Sequence, residues 1–309
     1  MSQKNKLLKK TVVRVIAPGF KPHPEVLKSI SQFVGQNPFF DFLYDEKMMD
    51  RRHPLNSSDR NIRFDYLKLA LEEEQSDVIW CLRGGYGSIH LLPLLDSLKK
   101  PKKKKLLIGL SDITSLHIYL QQRWGWSTLH ASHLDRWIEN KLPRGILKEN
   151  LAIILKTQAQ VEFKRLRPVN ELAKKIKKIQ GDIVGGNLIT LTSHTGTPYE
   201  IQTKGKFLFI EEIGERAYKI DRCLEQLYLA GIFRECKGLL IGQMTQCLEP
   251  DKKNMLPWLW RQWGERLSIP IFVGVETGHE INQRPLPLNT PAVVKKKGDL
   301  FTLSVENNE

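Results

Sequence analysis

The run LLIGLSDITS at 106–115 sets a lone hydroxyl, Ser111, and an acid, Asp112, where an apolar stretch gives way to a helical pattern. Two chemistries fit. Serine caps helices by accepting from first-turn N–H groups. It also serves as a nucleophile when a sharp strand-to-helix turn exposes it beside helix N–H groups. A nucleophilic serine needs a base, and the base needs an orienting carboxylate. Of the eight histidines, His23, His53, His133 and His194 sit in polar or loop-like contexts, and His90 and His117 sit inside helical patterns. His130 ends a possible strand. His279 follows Gly278 where the apolar run of VGVETGHEINQRPLP stops. Among carboxylates, FLFIEE drives an apolar strand straight into Glu211 and Glu212. Ending a buried strand in two acids costs desolvation unless they have a use; the plain reading is a strand end at the surface. Spacing leaves both the helix cap and a Ser111/Glu211/His279 triad open.

A second glycine-rich stretch, Arg83-Gly84-Gly85-Tyr86-Gly87, follows the apolar run DVIWCL. Glycines after a strand let backbone N–H groups approach a ligand closely. No G-x-x-x-x-G-K-[ST] and no helix-opening G-x-G-x-x-G is present, so a nucleotide-phosphate cradle is disfavoured. Cys81, Cys223, Cys236 and Cys247 show no C-x-x-C spacing and no paired histidine ligands. Neither a metal site nor a disulfide framework is expected, and no cofactor is implied.

These groups must be held by elements, and the pattern supplies them. TVVRVIAP, FDFLYD, DVIWCL and KLLIGL read as strands. They alternate with helical patterns in PEVLKSISQFV, RNIRFDYLKLALEEEQ and DITSLHIYLQQ; WSTLHA is a further strand. Such alternation predicts an α/β fold with a parallel sheet covered on both faces. Ligands of such sheets sit at the carboxyl ends of strands, where Arg83–Gly87 and Ser111 fall. From about 157 the texture turns polar and basic. We divide the chain into an N-terminal α/β nucleophile domain (1–156), a linker (157–178) and a C-terminal domain (179–309) carrying Glu211 and His279.

With 41% hydrophobic and 27% charged residues, the chain can bury a real core. No apolar run is long enough to span a bilayer. The basic start MSQKNKLLKK lacks the h-region of a signal peptide, so a cytoplasmic, membrane-free protein is expected. The net charge of +14 is clustered, notably in KKPKKKKLL. It suits an anionic partner, but without interleaved aromatics or a recognised motif nucleic acid is disfavoured. A homodimer is the expected assembly.

Several segments together, in order and spacing, resemble the LD-carboxypeptidase family of serine peptidases. That family also contains the immunity peptidases that inactivate microcin C-type nucleotide antibiotics. The segments are VIAP, DVIWCLRGGYGSIHLLPLLD, LIGLSDITSLHIYL, GDIVGGNLITLTSHTGTP, FLFIEEIGERAYKIDRCLEQLYLAGIF, GLLIGQM and IPIFVGVETGHEINQRPLPLNTPA. The resemblance implies a glutamine-amidotransferase-like N-terminal α/β domain and a smaller C-terminal α/β domain. It implies Ser111 as nucleophile, Glu211 as orienting carboxylate, His279 as base, and the N–H groups of Gly85 and Asp112 as the oxyanion hole. The implied substrate is a peptidoglycan tetrapeptide (a muropeptide), cut between the L-centre of a diamino acid and terminal D-alanine, and Arg83 is the candidate for the terminal carboxylate. A second substrate class is a peptidyl or aminoacyl nucleotide, for which Trp124, Trp126 or Trp137 would offer a stacking platform. A rival of another class is a non-catalytic muropeptide or nucleic-acid binding protein. The chain departs from the family pattern at Ala131-Ser132, where Gly-Pro is frequent, at Leu288-Asn289, where a Gly is frequent, and at Glu212, where Asp is frequent.

Overall fold

The structure, a computed structural model, describes residues 10–50 and 52–307. Thirteen strands run in chain order: β1 (Thr11–Ile16), β2 (Phe40–Leu43), β3 (Val78–Cys81), β4 (Leu106–Gly109), β5 (Thr128–His130), β6 (Gln160–Pro168), β7 (Lys178–Asn187), β8 (Phe207–Ile213), β9 (Gly238–Thr245), β10 (Ile271–Val273), β11 (Leu286–Leu288), β12 (Pro291–Lys297) and β13 (Leu300–Glu306). They make two sheets. The first has the order β11-β5-β4-β3-β1-β2 and the second closes into a barrel, β10-β6-β13-β12-β7-β8-β9.

In the first sheet β1 to β5 are parallel. Every residue of β3 is buried, as expected of a parallel strand covered on both faces. Helices Pro24–Gln36, Arg60–Glu72 and Thr114–Trp124 supply the cover. The alternation read from the sequence thus places the α/β architecture correctly. It also places the loops after β3 and β4 side by side, because those strands are neighbours in register.

The second half is a mixed barrel. Strands β7 to β10 are parallel, and β6, β13 and β12 close it antiparallel. Alternate residues of β8 face opposite ways. Phe207 and Phe209 join the core that includes β6 and β13, whereas Leu208 and Ile210 pack toward helices Ala217–Leu229 and Leu256–Arg266.

Two expectations about organisation need correction. Residues 157–178 are not a linker: they hold β6 and the helix Glu171–Lys175. Val161, Phe163 and Leu166 are buried, with Glu162, Lys164 and Arg165 between them. The basic residues that gave this stretch its polar texture are the outward positions of a half-buried strand. Nor do residues 179–309 stay together, since β11 leaves the barrel and pairs antiparallel with β5 at the edge of the first sheet. The chain thereby crosses the seam again just after His279. The run IPIFVGVETGHE is strand only over Ile271–Val273; the rest is the loop that delivers His279. Among the described residues no helix is long and apolar enough to cross a membrane.

Candidate active site

Ser111 follows β4 by two residues. Leu110 is extended, Ser111 has φ 61, and a short 3-10 turn, Ser111–Ile113, runs into helix Thr114–Trp124. A left-handed conformation at a non-glycine residue costs on the order of 1–2 kcal/mol and is the signature of a strained strand-to-helix elbow. The helix-cap alternative fails here. Ser111 lies inside the turn, and neither the turn nor the helix has a side-chain cap.

The elbow is held from three sides. Ile113 N donates to Leu110 O at 3.1 Å. His133 Nε2 lies 3.0 Å from Leu110 O and 3.2 Å from Leu110 N, so either ring tautomer binds this backbone unit. Asp112 turns its carboxylate away from the cavity and accepts from Gly87 N (3.1 Å), Ser88 N (2.9 Å) and Ser88 Oγ (2.7 Å). Burial raises the Asp112 pKa, opposed by these bonds and by Arg63. The side chain of Asp112 thus fastens the Arg83–Gly87 loop to the serine turn. That loop needs glycine at Gly85: its φ is +97, and a Cβ there would meet the Phe20 ring at 2.3 Å.

Glu211 and His279 meet. His279 Nδ1 lies 2.7 Å from Glu211 Oε2 and donates to it. The acid is wholly buried and the imidazole side chain is 10% exposed. Burial pushes the Glu211 pKa up, but the His279 charge, the His279 hydrogen bond and the nearby His130 more than offset this and hold it at about 2. The approach depends on Gly278, with φ +149, where a Cβ would lie 2.8 Å from Gln243 Cβ and 3.2 Å from Glu211 Oε2. From the first sheet, Arg136 donates to His279 O at 3.0 Å, and Ser132 Oγ to Gln283 Oε1 at 3.1 Å.

One cavity of about 710 Å³ is lined by Ser111 and His279 together with Arg83, Gly85, His133 and Asp135. The sequence-derived candidates Arg83, Gly85, Ser111 and His279 therefore share a wall, and Glu211 stands behind His279. Asp135 was not anticipated. It is 8% exposed, and its Oδ1 has no hydrogen-bond partner. Burial raises its pKa to about 6 against the pull of Arg83. His133, assigned to a loop context, is also buried, and burial drives its pKa well down. A lone histidine or aspartate in a polar stretch carries no periodic signal, so nothing in the sequence marked either.

Other candidates take structural places. Glu212 accepts from Asn187 Nδ2 and Ile189 N, each at 2.9 Å, and from Ile213 N at 2.8 Å, bracing the helix Leu188–Ser193. Trp124, Trp126 and Trp137 are buried in the cores, and none lines the cavity, so they form no stacking platform. Asn289 has φ 55, a left-handed conformation that asparagine tolerates better than most residues, which accounts for its presence where glycine is frequent. Among the described residues no group of three or more His, Cys, Asp or Glu side chains is placed to hold a metal ion.

A serine on a strained elbow, a carboxylate-bound imidazole and a glycine loop around one cavity are the parts of a serine hydrolase site. Comparison with known proteins carries this further. The LD-carboxypeptidase N-terminal domain matches residues 13–131 and the LD-carboxypeptidase C-terminal domain matches residues 180–294. The chain belongs to the LD-carboxypeptidase family, and its serine type follows from that membership. A relative from Rickettsia conorii, named as a carboxypeptidase, is 34% identical over 94% of this chain and 90% of its own length. The crystal structure of a muramoyltetrapeptide carboxypeptidase from Oxalobacter formigenes superposes with a TM-score of 0.83 at 25% identity, covering 96% of this chain and 99% of that one. The wild-type apo structure of the microcin C7 self-immunity protein superposes with a TM-score of 0.78 at 18% identity over 96% of both chains, a likeness of fold.

Proposed function

We infer that this chain is a serine LD-carboxypeptidase that removes terminal D-alanine from the L-centre of a diamino acid in peptidoglycan tetrapeptides, a cytoplasmic step of cell-wall recycling. The observation that carries the reading is the bond between His279 and Glu211, made across the chain at the wall of the cavity that Ser111 also lines. In the proposed reaction Ser111 Oγ attacks the scissile carbonyl while His279 Nε2 takes its proton. Glu211 fixes the imidazole with Nδ1 protonated and stabilises the imidazolium. The tetrahedral oxygen is received by the N–H groups of Gly85 and Asp112, each worth about 3 kcal/mol on the usual scale of such donors. His279 then gives its proton to the leaving D-alanine amine, and water repeats the sequence on the acyl-enzyme.

Substrates of this kind carry several carboxylates, which a chain of net charge +14 attracts. Arg83, at the cavity wall, is the residue proposed to meet the terminal carboxylate. The test is D-alanine release from a purified muropeptide tetrapeptide by wild type and by Ser111→Ala. The wild type is expected to release it and the variant to lose the activity; full activity in the variant would remove the mechanism.

A further inference from the structure

Glu211 has a second carboxylate oxygen, and His279 does not use it. Oε1 lies wholly buried with no hydrogen-bond partner. His130 Nε2 lies 3.6 Å from it and is itself buried and without a hydrogen-bond partner. These two orphaned atoms face each other across the seam, one from the last residue of β5 in the first sheet and the other from β8 of the barrel. Leaving a buried carboxylate oxygen unpaired is expensive, and a few tenths of an ångström would turn the contact into a charge-assisted hydrogen bond. His130 is framed for that task. Its Nδ1 is 3.5 Å from Thr277 Oγ1, and its ring meets the Phe209 ring edge-on at 5.3 Å between centroids. A hydroxyl donated by Thr277 to Nδ1 would fix the Nε2–H tautomer.

We propose that His130 is a positioning residue for the catalytic carboxylate: its Nε2–H takes Glu211 Oε1, so that Oε2 stays on His279 Nδ1. Thr277 sets the tautomer. The proposal rests on the triad assignment above. The chain of contacts Thr277–His130–Glu211–His279 also joins the two sheets, so the base is aligned only when the sheet carrying Ser111 and the barrel carrying Glu211 are seated together. Ala131 N, the next amide after His130, donates to Gly109 O at 3.1 Å, and His117 Nε2 lies 3.0 Å from the same oxygen. The end of β5 is thereby fixed to the strand that bears the serine.

The experiment compares wild type, His130→Leu, His130→Gln and Thr277→Val. Leucine fills the space without a donor, whereas glutamine can return an N–H near the Nε2 position. Turnover is measured on the tetrapeptide, together with the low-field proton resonance of the His279–Glu211 bond, which needs no substrate. His130→Leu should lower kcat by about 10- to 100-fold, the scale on which outer partners of reactive groups act, with KM little changed, and should weaken or shift the resonance. His130→Gln should recover most of both. If His130→Leu does not fold, Thr277→Val serves, with an expected fall in kcat of a few-fold at constant KM. Unchanged kcat and an unchanged resonance in His130→Leu, or in Thr277→Val where it stands in, would overturn the proposal. A wild type that releases no D-alanine but loses the resonance in His130→Leu would sink the substrate reading and leave the positioning role standing.

Discussion

Glu211 and His279, 68 residues apart in the chain, are joined by a 2.7 Å hydrogen bond between β8 of the barrel and the loop after β10. An acid held near pKa 2 while wholly buried makes a strong prediction. Glu211→Gln should leave the fold intact at neutral pH but lower kcat by about 10³- to 10⁴-fold with a modest change in KM, because the amide cannot hold the productive tautomer or stabilise the imidazolium. Steady-state kinetics on the tetrapeptide decide it; a loss confined to KM would contradict the assignment.

The same carboxyl links stability to acidity. Its pKa is lowered on folding, from 4.5 to about 2. Its contribution is therefore fully present above the unfolded value and is lost as pH falls through 4.5 toward 2. Wild type should lose stability steeply over that window, by a few kcal/mol in order of magnitude. Glu211→Gln should show a shallower acid limb in denaturant titrations at pH 5, 4 and 3. Equal slopes would mean that the ion pair does not drive acid unfolding.

Ser111 stands in a conformation that glycine adopts freely. Ser111→Ala and Ser111→Gly should both abolish D-alanine release, but they should part in stability. Alanine retains the strained φ, whereas glycine relieves it by about 1 kcal/mol, a rise of roughly 2–4 °C in Tm for a chain of this class. Calorimetry of the two variants separates elbow strain from loss of the hydroxyl. A glycine variant no more stable than the alanine one would mean that the turn is unstrained.

The candidates for this site stood out in the sequence because they interrupt or follow apolar runs, and the family resemblance gave them their roles; in the structure Glu211 lies within β8 and His279 on the loop after β10. Ser111 after LLIGL, Glu211 after FLFI and His279 after VGVETG are conspicuous since polar chemistry there interrupts a buried run. The glycine loop was legible for the same reason. What periodicity could not give was the seam. β6 was hidden by Lys164 and Arg165 on its outer face, and the crossing of β11 into the first sheet depends on a pairing with β5 that no local pattern encodes. His130, His133 and Asp135 gain their significance only through that seam and the packing beside it: His130 from Glu211, His133 from the Leu110 backbone, and Asp135 from the depth of the cavity. Glu212 shows the converse. It shares the conspicuous strand end with Glu211, yet its three bonds belong to Asn187, Ile189 and its own neighbour.

Asp135 and Arg83 face the same cavity with opposite charge, and they supply the last prediction. Asp135 is raised from 3.8 to about 6 by burial, with Arg83 opposing the shift. Below pH 3.8 the carboxyl is protonated in both states and costs nothing; as pH rises through 6 the buried charge becomes a full penalty. Asp135→Asn should therefore stabilise the protein at pH 8 by about 3 kcal/mol, and the gain should shrink to nearly nothing by about pH 3. Arg83→Ala should act the other way at pH 8, because the acid loses its opposing charge, and should also raise KM for the tetrapeptide while leaving kcat within a few-fold. Thermal melts across pH and a KM comparison test both halves. An Arg83→Ala enzyme with wild-type KM and kcat would strip Arg83 of its carboxylate-binding role, and a pH-independent Asp135→Asn gain would show that packing, not charge, sets the penalty at this wall.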